Sequence, residues 1–271
     1  MKNLTQLPRK VAPLPVTHGF LCRWLGILVL SMQLKGAVIG QSEGPKTSPV
    51  ALEKFSKRTS SGPLKMSYHI AMPSSSQLQK LNRDSSELVP LSPLLVLFSP
   101  RGDGQRILEP VAPAANRYGW IAVGVDRLKN GAMDTRLMIR MEDEVLEDIF
   151  ERVPHDPKRV YLGGLSGGAM RAFSLTVRRK QDTYAGVLSM GGWLGGTQYA
   201  RRSYPKGLAV AMIAGDKDLG AHQWSRHDAA VFNRLEGRVQ MFVFPGGHEM
   251  APTGIIRKAI KWFDRDWRDY H

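Results

Sequence analysis

Three short stretches hold residue types that can share a proton between them. The first is Gly164-Leu165-Ser166-Gly167-Gly168, a G-x-S-x-G pattern. A serine hydroxyl attacks only if a base takes its proton, and that base needs a carboxylate to orient it. Further along, Gly215-Asp216-Lys217-Asp218 supplies carboxylates and Pro245-Gly246-Gly247-His248 supplies an imidazole. The chain order Ser, Asp, His suits nucleophilic attack on an acyl carbon in one family of folds. Spacing does not separate Asp216 from Asp218. A phosphate-cradling loop is excluded, because no Lys-Ser/Thr closes the glycine run and G-x-G-x-x-G is absent. A glycine-rich turn of purely structural purpose explains the first stretch taken alone, but not the agreement of all three. The other histidines (His18, His69, His155, His222, His227 and His271) read as surface or capping residues.

Such residues need rigid elements to hold them. Apolar runs bounded by turn residues predict strands at 94–99 (LLVLFS), 120–125 (WIAVGV), 160–163 (VYLG), 185–190 (AGVLSM), 208–214 (LAVAMIA) and 239–244 (VQMFVF). KMSYHIAMP, from Lys65, predicts a first strand ended by Pro73. Between the runs lie helical patterns. Met138, Met141, Val145, Ile149 and Val153 recur at spacings of three and four after an N-cap at Asp134. Ala169, Met170, Phe173 and Val177 follow the serine. Others surround Trp224, Val231, Phe232 and Leu235, and end the chain with Ile255, Ile256, Ala259, Ile260 and Phe263. Alternation of apolar strand and helix predicts an α/β fold, a mostly parallel central sheet with helices on both faces. In such sheets sites form at the carboxyl ends of strands, where all three stretches fall.

Residues 1–40 contain Lys2, Arg9, Lys10, Arg23 and Lys35 but no Asp or Glu. The apolar run from Trp24 to Leu34 and the small residues before Gly40 read as a secretory signal, cleaved on export. The run is short of the roughly 20 residues a spanning helix needs, so no stable membrane anchor is expected after cleavage. Export places the protein outside the cell or in a periplasm. Cys22, the single cysteine, leaves with the signal, which excludes disulfides, Cys-ligated metals and Cys catalysis. Residues 41–64, rich in Ser, Pro, Lys and Gly, read as a linker or disordered arm. The remainder, 65–271, suits a single catalytic domain. The whole chain carries a net charge of +14; taking the five leader cations from 38 leaves 33 against 24 acidic residues, or +9. The basic knots Lys57-Arg58, Arg178-Arg179-Lys180 and Arg201-Arg202 lack aromatic interleaving, so they read as solvated faces and not as a nucleic-acid surface.

The segment HDPKRVYLGGLSGGAM resembles the nucleophile region of α/β-hydrolases of the polyhydroxybutyrate depolymerase and feruloyl-esterase-like branch. AGDKDLG is similar to the acid loop of that branch, a likeness that places the acid at Asp218; PGGHEMAP is similar to its histidine loop only loosely. The resemblance implies the α/β-hydrolase fold and a serine hydrolase acting on small-molecule or polymer-derived esters, with neither metal nor organic cofactor. One departure stands out. Where the family has a His-Gly pair after the strand preceding the first helix, this chain has Phe98-Ser99-Pro100-Arg101-Gly102-Asp103-Gly104. Pro100 has no N–H to give, so the oxyanion donor from this loop falls to Arg101 or Gly102, with the backbone N–H of Gly167 as its partner. The embedded Arg-Gly-Asp reads as a turn. Trp193, in the Gly191-Gly192-Trp193 stretch after AGVLSM, is expected to wall the substrate site.

Two other readings stay open at this level. The unusual 99–104 loop and basic surface suit a catalytically impaired hydrolase fold used for binding. A triad alone also permits a serine peptidase on the same fold.

Overall fold

The computed structural model describes residues 52–58, 65–74, 78, 91–131, 134–180 and 182–271. The signal segment 1–40 lies outside the described residues. So does the 41–64 arm, except that Leu52–Arg58 forms a strand.

Eight strands make one sheet: β1 (Leu52–Arg58), β2 (Lys65–Ala71), β3 (Leu94–Phe98), β4 (Ile121–Val125), β5 (Val160–Leu165), β6 (Gly186–Met190), β7 (Ala209–Gly215) and β8 (Arg238–Phe244). Their spatial order is β1-β2-β4-β3-β5-β6-β7-β8. β1 and β2 pair antiparallel, as do β2 and β4, and every other neighbouring pair is parallel. Among the described residues the α-helices that connect them are α1 (Gly104–Leu108), α2 (Ala112–Arg117), α3 (Thr135–Arg152), α4 (Gly167–Arg178), α5 (Leu219–Arg234) and α6 (Thr253–Tyr270).

The two-residue period of a strand sends alternate side chains to opposite faces. Leu94, Val96 and Phe98 of β3 pack with Met141 and Val145 of α3, Phe173 of α4 and Phe232 of α5. Leu95 and Leu97 of the same strand join Leu108 of α1, Ala115 of α2 and Ile260 and Phe263 of α6. Both faces are therefore covered, and β3 is buried along its whole length. That burial requires strands apolar throughout, which is how the sequence reads. Asp134 caps α3 by accepting from the N–H groups of Arg136 and Leu137. The carboxyl ends of β3, β5, β6, β7 and β8 consequently line up along one edge, each followed by a loop that opens toward it.

Candidate active site

β5 runs into α4 through Ser166 alone, whose backbone is held at φ +53° and ψ −122°. A non-glycine residue there is strained, and the strain lifts the side chain clear of the sheet. The turn is locked from both sides. Ser166 N–H donates to the Met190 carbonyl at 2.8 Å, and the Ser166 carbonyl accepts from Ala169 N–H at 2.9 Å. The flanking glycines are there for lack of room. A Cβ on Gly164 would lie 2.3 Å from the Phe98 carbonyl oxygen, and one on Gly168 1.9 Å from the same atom. Strand β5, helix α4 and the end of β3 thus meet backbone against backbone.

Asp218 and His248 follow adjacent parallel strands. After β7 and β8 the two loops stay laced: Asp216 N–H donates to the Phe244 carbonyl and Lys217 N–H to the Gly246 carbonyl, both at 2.9 Å. The Asp216 carboxylate accepts from Gly246 N–H at 3.0 Å, so it braces the histidine loop from behind. Two residues on, Asp218 reaches the ring. Its Oδ2 lies 2.6 Å from His248 Nδ1, while Oδ1 accepts from Ala221 N–H as the N-cap of α5. A carboxylate at Nδ1 fixes that nitrogen as the donor and leaves Nε2 to act as acceptor.

Gly191 brings this pair to the serine. A Cβ on Gly191 would lie 3.4 Å from His248 Cε1 and 3.5 Å from Asp218 Oδ2. Its neighbour Met190 is the residue that holds Ser166 N–H. The imidazole and the serine turn therefore flank one dipeptide, Met190-Gly191. Among the described residues no hydrogen bond joins Ser166 Oγ to His248 Nε2. The His248 side chain is 46% exposed and has room to swing; such links commonly tighten only around a substrate. The remaining histidines among the described residues with polar contacts are held elsewhere: His69 against Asp126, His155 at the Val153 carbonyl, and His227 beside Asp228.

Gly167 begins α4, so its N–H has no partner carbonyl within the helix. The 99–102 loop is less free. Arg101 N–H donates to Ser99 Oγ at 3.2 Å, and Gly102 N–H to the Ser99 carbonyl at 3.0 Å. The Arg-Gly-Asp sequence is a turn, with Gly102 at φ +67° and Asp103 capping α1. This loop is pinned to the one after β4, since Asn130 N–H donates to the Pro100 carbonyl at 3.0 Å and Arg101 bridges Lys129. The lacing lays the Asn130 carboxamide on Gly167, where an added Cβ would sit 1.8 Å from Nδ2. Asn130 escapes sequence reading because Asn130-Gly131 is an ordinary turn pair, and only the β3–β4 lacing carries it to the serine.

A pocket of about 360 Å³ opens beside Gly167 and Asn130, walled by Met138, Met170, Leu194, Tyr199 and Tyr204 among others. Leu194 lines it and Trp193 does not; Trp193 is half-buried in the same loop. That loop is anchored by Leu194 N–H, which donates to the fully buried Asp228 carboxylate at 2.6 Å. Burial raises the Asp228 pKa, opposed by the Leu194 N–H and by His227. A larger cavity, about 690 Å³, lies at the opposite end of the sheet beside Ala185 and Gly207, away from the serine. Among the described residues no group of three His, Cys, Asp or Glu side chains gathers as metal ligands would.

No protein-family model matches the sequence. No curated protein matches it either. Solved structures do match the backbone. A bacterial heroin esterase superposes with a TM-score of 0.59 at 12% identity, over 83% of this chain and 86% of its own. The fluorophosphonate-binding serine hydrolase F of Staphylococcus aureus gives 0.58 at 14% identity, over 80% and 99%. A ferulic acid esterase gives 0.58 at 15%, over 82% and 99%. The fold is that of the α/β-hydrolases. In this chain the turn between β5 and α4 of that fold is occupied by Ser166.

Proposed function

We propose that the chain is an exported serine hydrolase that cleaves carboxylic esters. The observation that carries this reading is the Asp218–His248 pair, 2.6 Å apart and lying by Gly191, the residue after the Met190 whose carbonyl holds the strained Ser166 turn. A positive φ at a serine on a strand-to-helix turn is the backbone that presents a nucleophile, and the Asp218-oriented imidazole is the base it would need. The ester reading follows the names of esterases among the solved structures of the same fold, which match over most of their own length, whereas the peptidases among them match over less than half of theirs. The narrower likeness to the polyhydroxybutyrate depolymerase and feruloyl-esterase-like branch rests on the segment around Ser166.

In the proposed reaction Ser166 Oγ bonds to the ester carbonyl carbon as His248 Nε2 takes its proton. The resulting oxyanion is met by the Gly167 N–H and, in place of the engaged 99–102 loop, by the Asn130 carboxamide. The C–O bond to the alcohol then breaks, and the imidazolium returns its proton to the departing oxygen. Asp218 holds the imidazolium without taking the proton. Water, deprotonated by His248, adds to the acyl-serine, and the carboxylic acid leaves as Ser166 regains its proton.

A fluorophosphonate probe tests this directly. The protein is expected to label, and Ser166→Ala to label not at all, with 4-nitrophenyl ester turnover lost in parallel. Equal weak labelling of both, with no ester cleaved by either, would mean a hydrolase fold used only for binding. Within the reading, Asn130→Ala is expected to lower kcat about 100-fold with KM little changed; an unchanged kcat would return the donor role to Arg101.

A further inference from the structure

The pocket beside Gly167 contains three arginines, and two are neutralised. Arg171 Nε lies 2.8 Å from Glu142, and Arg178 lies 2.7 Å from Asp143 and 3.0 Å from Glu142. Arg202 differs. Its Nη1 donates to Ser174 Oγ at 3.4 Å, and its guanidinium sits 4.3 Å from the Tyr199 ring centroid. Among the described residues it makes no salt bridge to a carboxylate. Tyr204 OH, from a buried ring, donates to the Tyr199 carbonyl and holds the backbone that carries the ring on which Arg202 stacks. A half-buried guanidinium on an aromatic face, lining this cavity and without a carboxylate partner among the described residues, is set up to receive an anion.

The helix measures how far that anion is from the chemistry. Gly167 and Ser174 both line the pocket from α4, seven residues apart. At the rise of an α-helix this is about 10 Å. An extended chain covers roughly 3.5 Å for every three bonds, so it needs about six to nine bonds to bring a terminal group within reach of Arg202. The pocket touches Gly167, against which the carbonyl oxygen would rest, and is not lined by His248, which must face the departing alcohol. It therefore holds the acyl side.

We infer that Arg202 selects esters whose acyl group ends in a carboxylate about six to nine bonds from the scissile carbonyl. The assignment rests on the serine-hydrolase reading for its reaction, though not for its binding. The test compares 4-nitrophenyl monoesters of octanedioic and butanedioic acids with the corresponding octanoate and butanoate. Wild type is expected to prefer the octanedioate over the octanoate by about 10- to 100-fold in kcat/KM, as a charge-assisted pair supplies. The four-carbon pair, too short to span, should show no such preference. Arg202→Gln should bring the eight-carbon ratio to about one, and Arg202→Lys should keep part of it. Octanedioate itself should raise the melting temperature of wild type and not of Arg202→Gln. A ratio near one in wild type, or one that Arg202→Gln leaves standing, overturns the inference while the hydrolase reading survives. Absent fluorophosphonate labelling with an Arg202-dependent thermal shift retains the anion site and sinks the reaction instead.

Discussion

Gly168→Ala and Gly167→Ala add the same methyl group to neighbouring positions, yet the two should fail in different ways. At Gly168 the new Cβ would lie 1.9 Å from the Phe98 carbonyl oxygen and 2.6 Å from its carbon, both backbone atoms of the buried strand β3. Ordinary contact begins near 3.4 Å, so α4 and β3 must part by about 1.5 Å. Neither can yield by rotating a side chain. Overpacking of this kind costs about 1–3 kcal/mol, and a domain of this size loses about 2–4 °C of Tm per kcal/mol. On the proposed mechanism, a shift of an ångström at Ser166 also costs about 100-fold in turnover. At Gly167 the obstructing atoms belong to the end of the exposed Asn130 side chain, 1.8 Å away at Nδ2. That carboxamide can swing aside, and alanine improves helix propensity by up to about 1 kcal/mol. Gly167→Ala should therefore keep its Tm within about 2 °C while kcat falls about 100-fold through the displaced donor. Differential scanning calorimetry and 4-nitrophenyl butanoate kinetics read both quantities. If Gly168→Ala keeps wild-type stability while Gly167→Ala unfolds, the backbone contact between α4 and β3 is not what holds the turn.

Three other perturbations check separate parts of the molecule. Asp218→Asn should cut turnover about 10,000-fold without loss of fold, whereas Asp216→Ala, which removes one hydrogen bond to Gly246, should cost less than about 10-fold; the reverse order in steady-state kinetics would exchange their roles. Burial raises the pKa of Asp228 above its unfolded value of about 4, so its contribution to stability is complete below that pH and declines as pH rises through the folded value. Asp228→Asn keeps an acceptor for Leu194 N–H, and its Tm relative to wild type should climb between pH 4 and 7; a flat difference would mean the carboxylate is not shifted. Arg171→Met strips the buried Glu142 of one of its two cations and should cost about 3 kcal/mol in urea unfolding, part of which Glu142→Leu in the same chain should restore.

Which elements form was legible locally. The strands VYLG and LAVAMIA, and the helix spaced by Met138, Met141 and Val145, declare themselves through residues a few positions apart, because burial on both faces of a sheet forces continuous apolar runs. The arm before Lys65 did not declare Leu52–Arg58, since an edge strand of mixed polarity has little periodicity to read. In the loop after β6 it is Leu194 that lines the pocket beside Gly167, a detail composition does not carry, because the Leu194–Asp228 bond that anchors the loop joins residues far apart in the chain.

By itself the sequence determined the α/β pattern and the order Ser166, Asp, His248 at strand ends, because parallel strands joined by helices deliver their carboxyl ends to one edge. Tertiary structure decided the rest. It separated Asp218 from Asp216, since the register of β7 against β8 spends the first carboxylate on Gly246 and leaves the second for the imidazole. It also engaged the Arg101 amide, laid Asn130 on Gly167 and, among the described residues, left Arg202 without a carboxylate partner. Those outcomes depend on loops from different strands meeting in space, and no spacing along the chain records such a meeting.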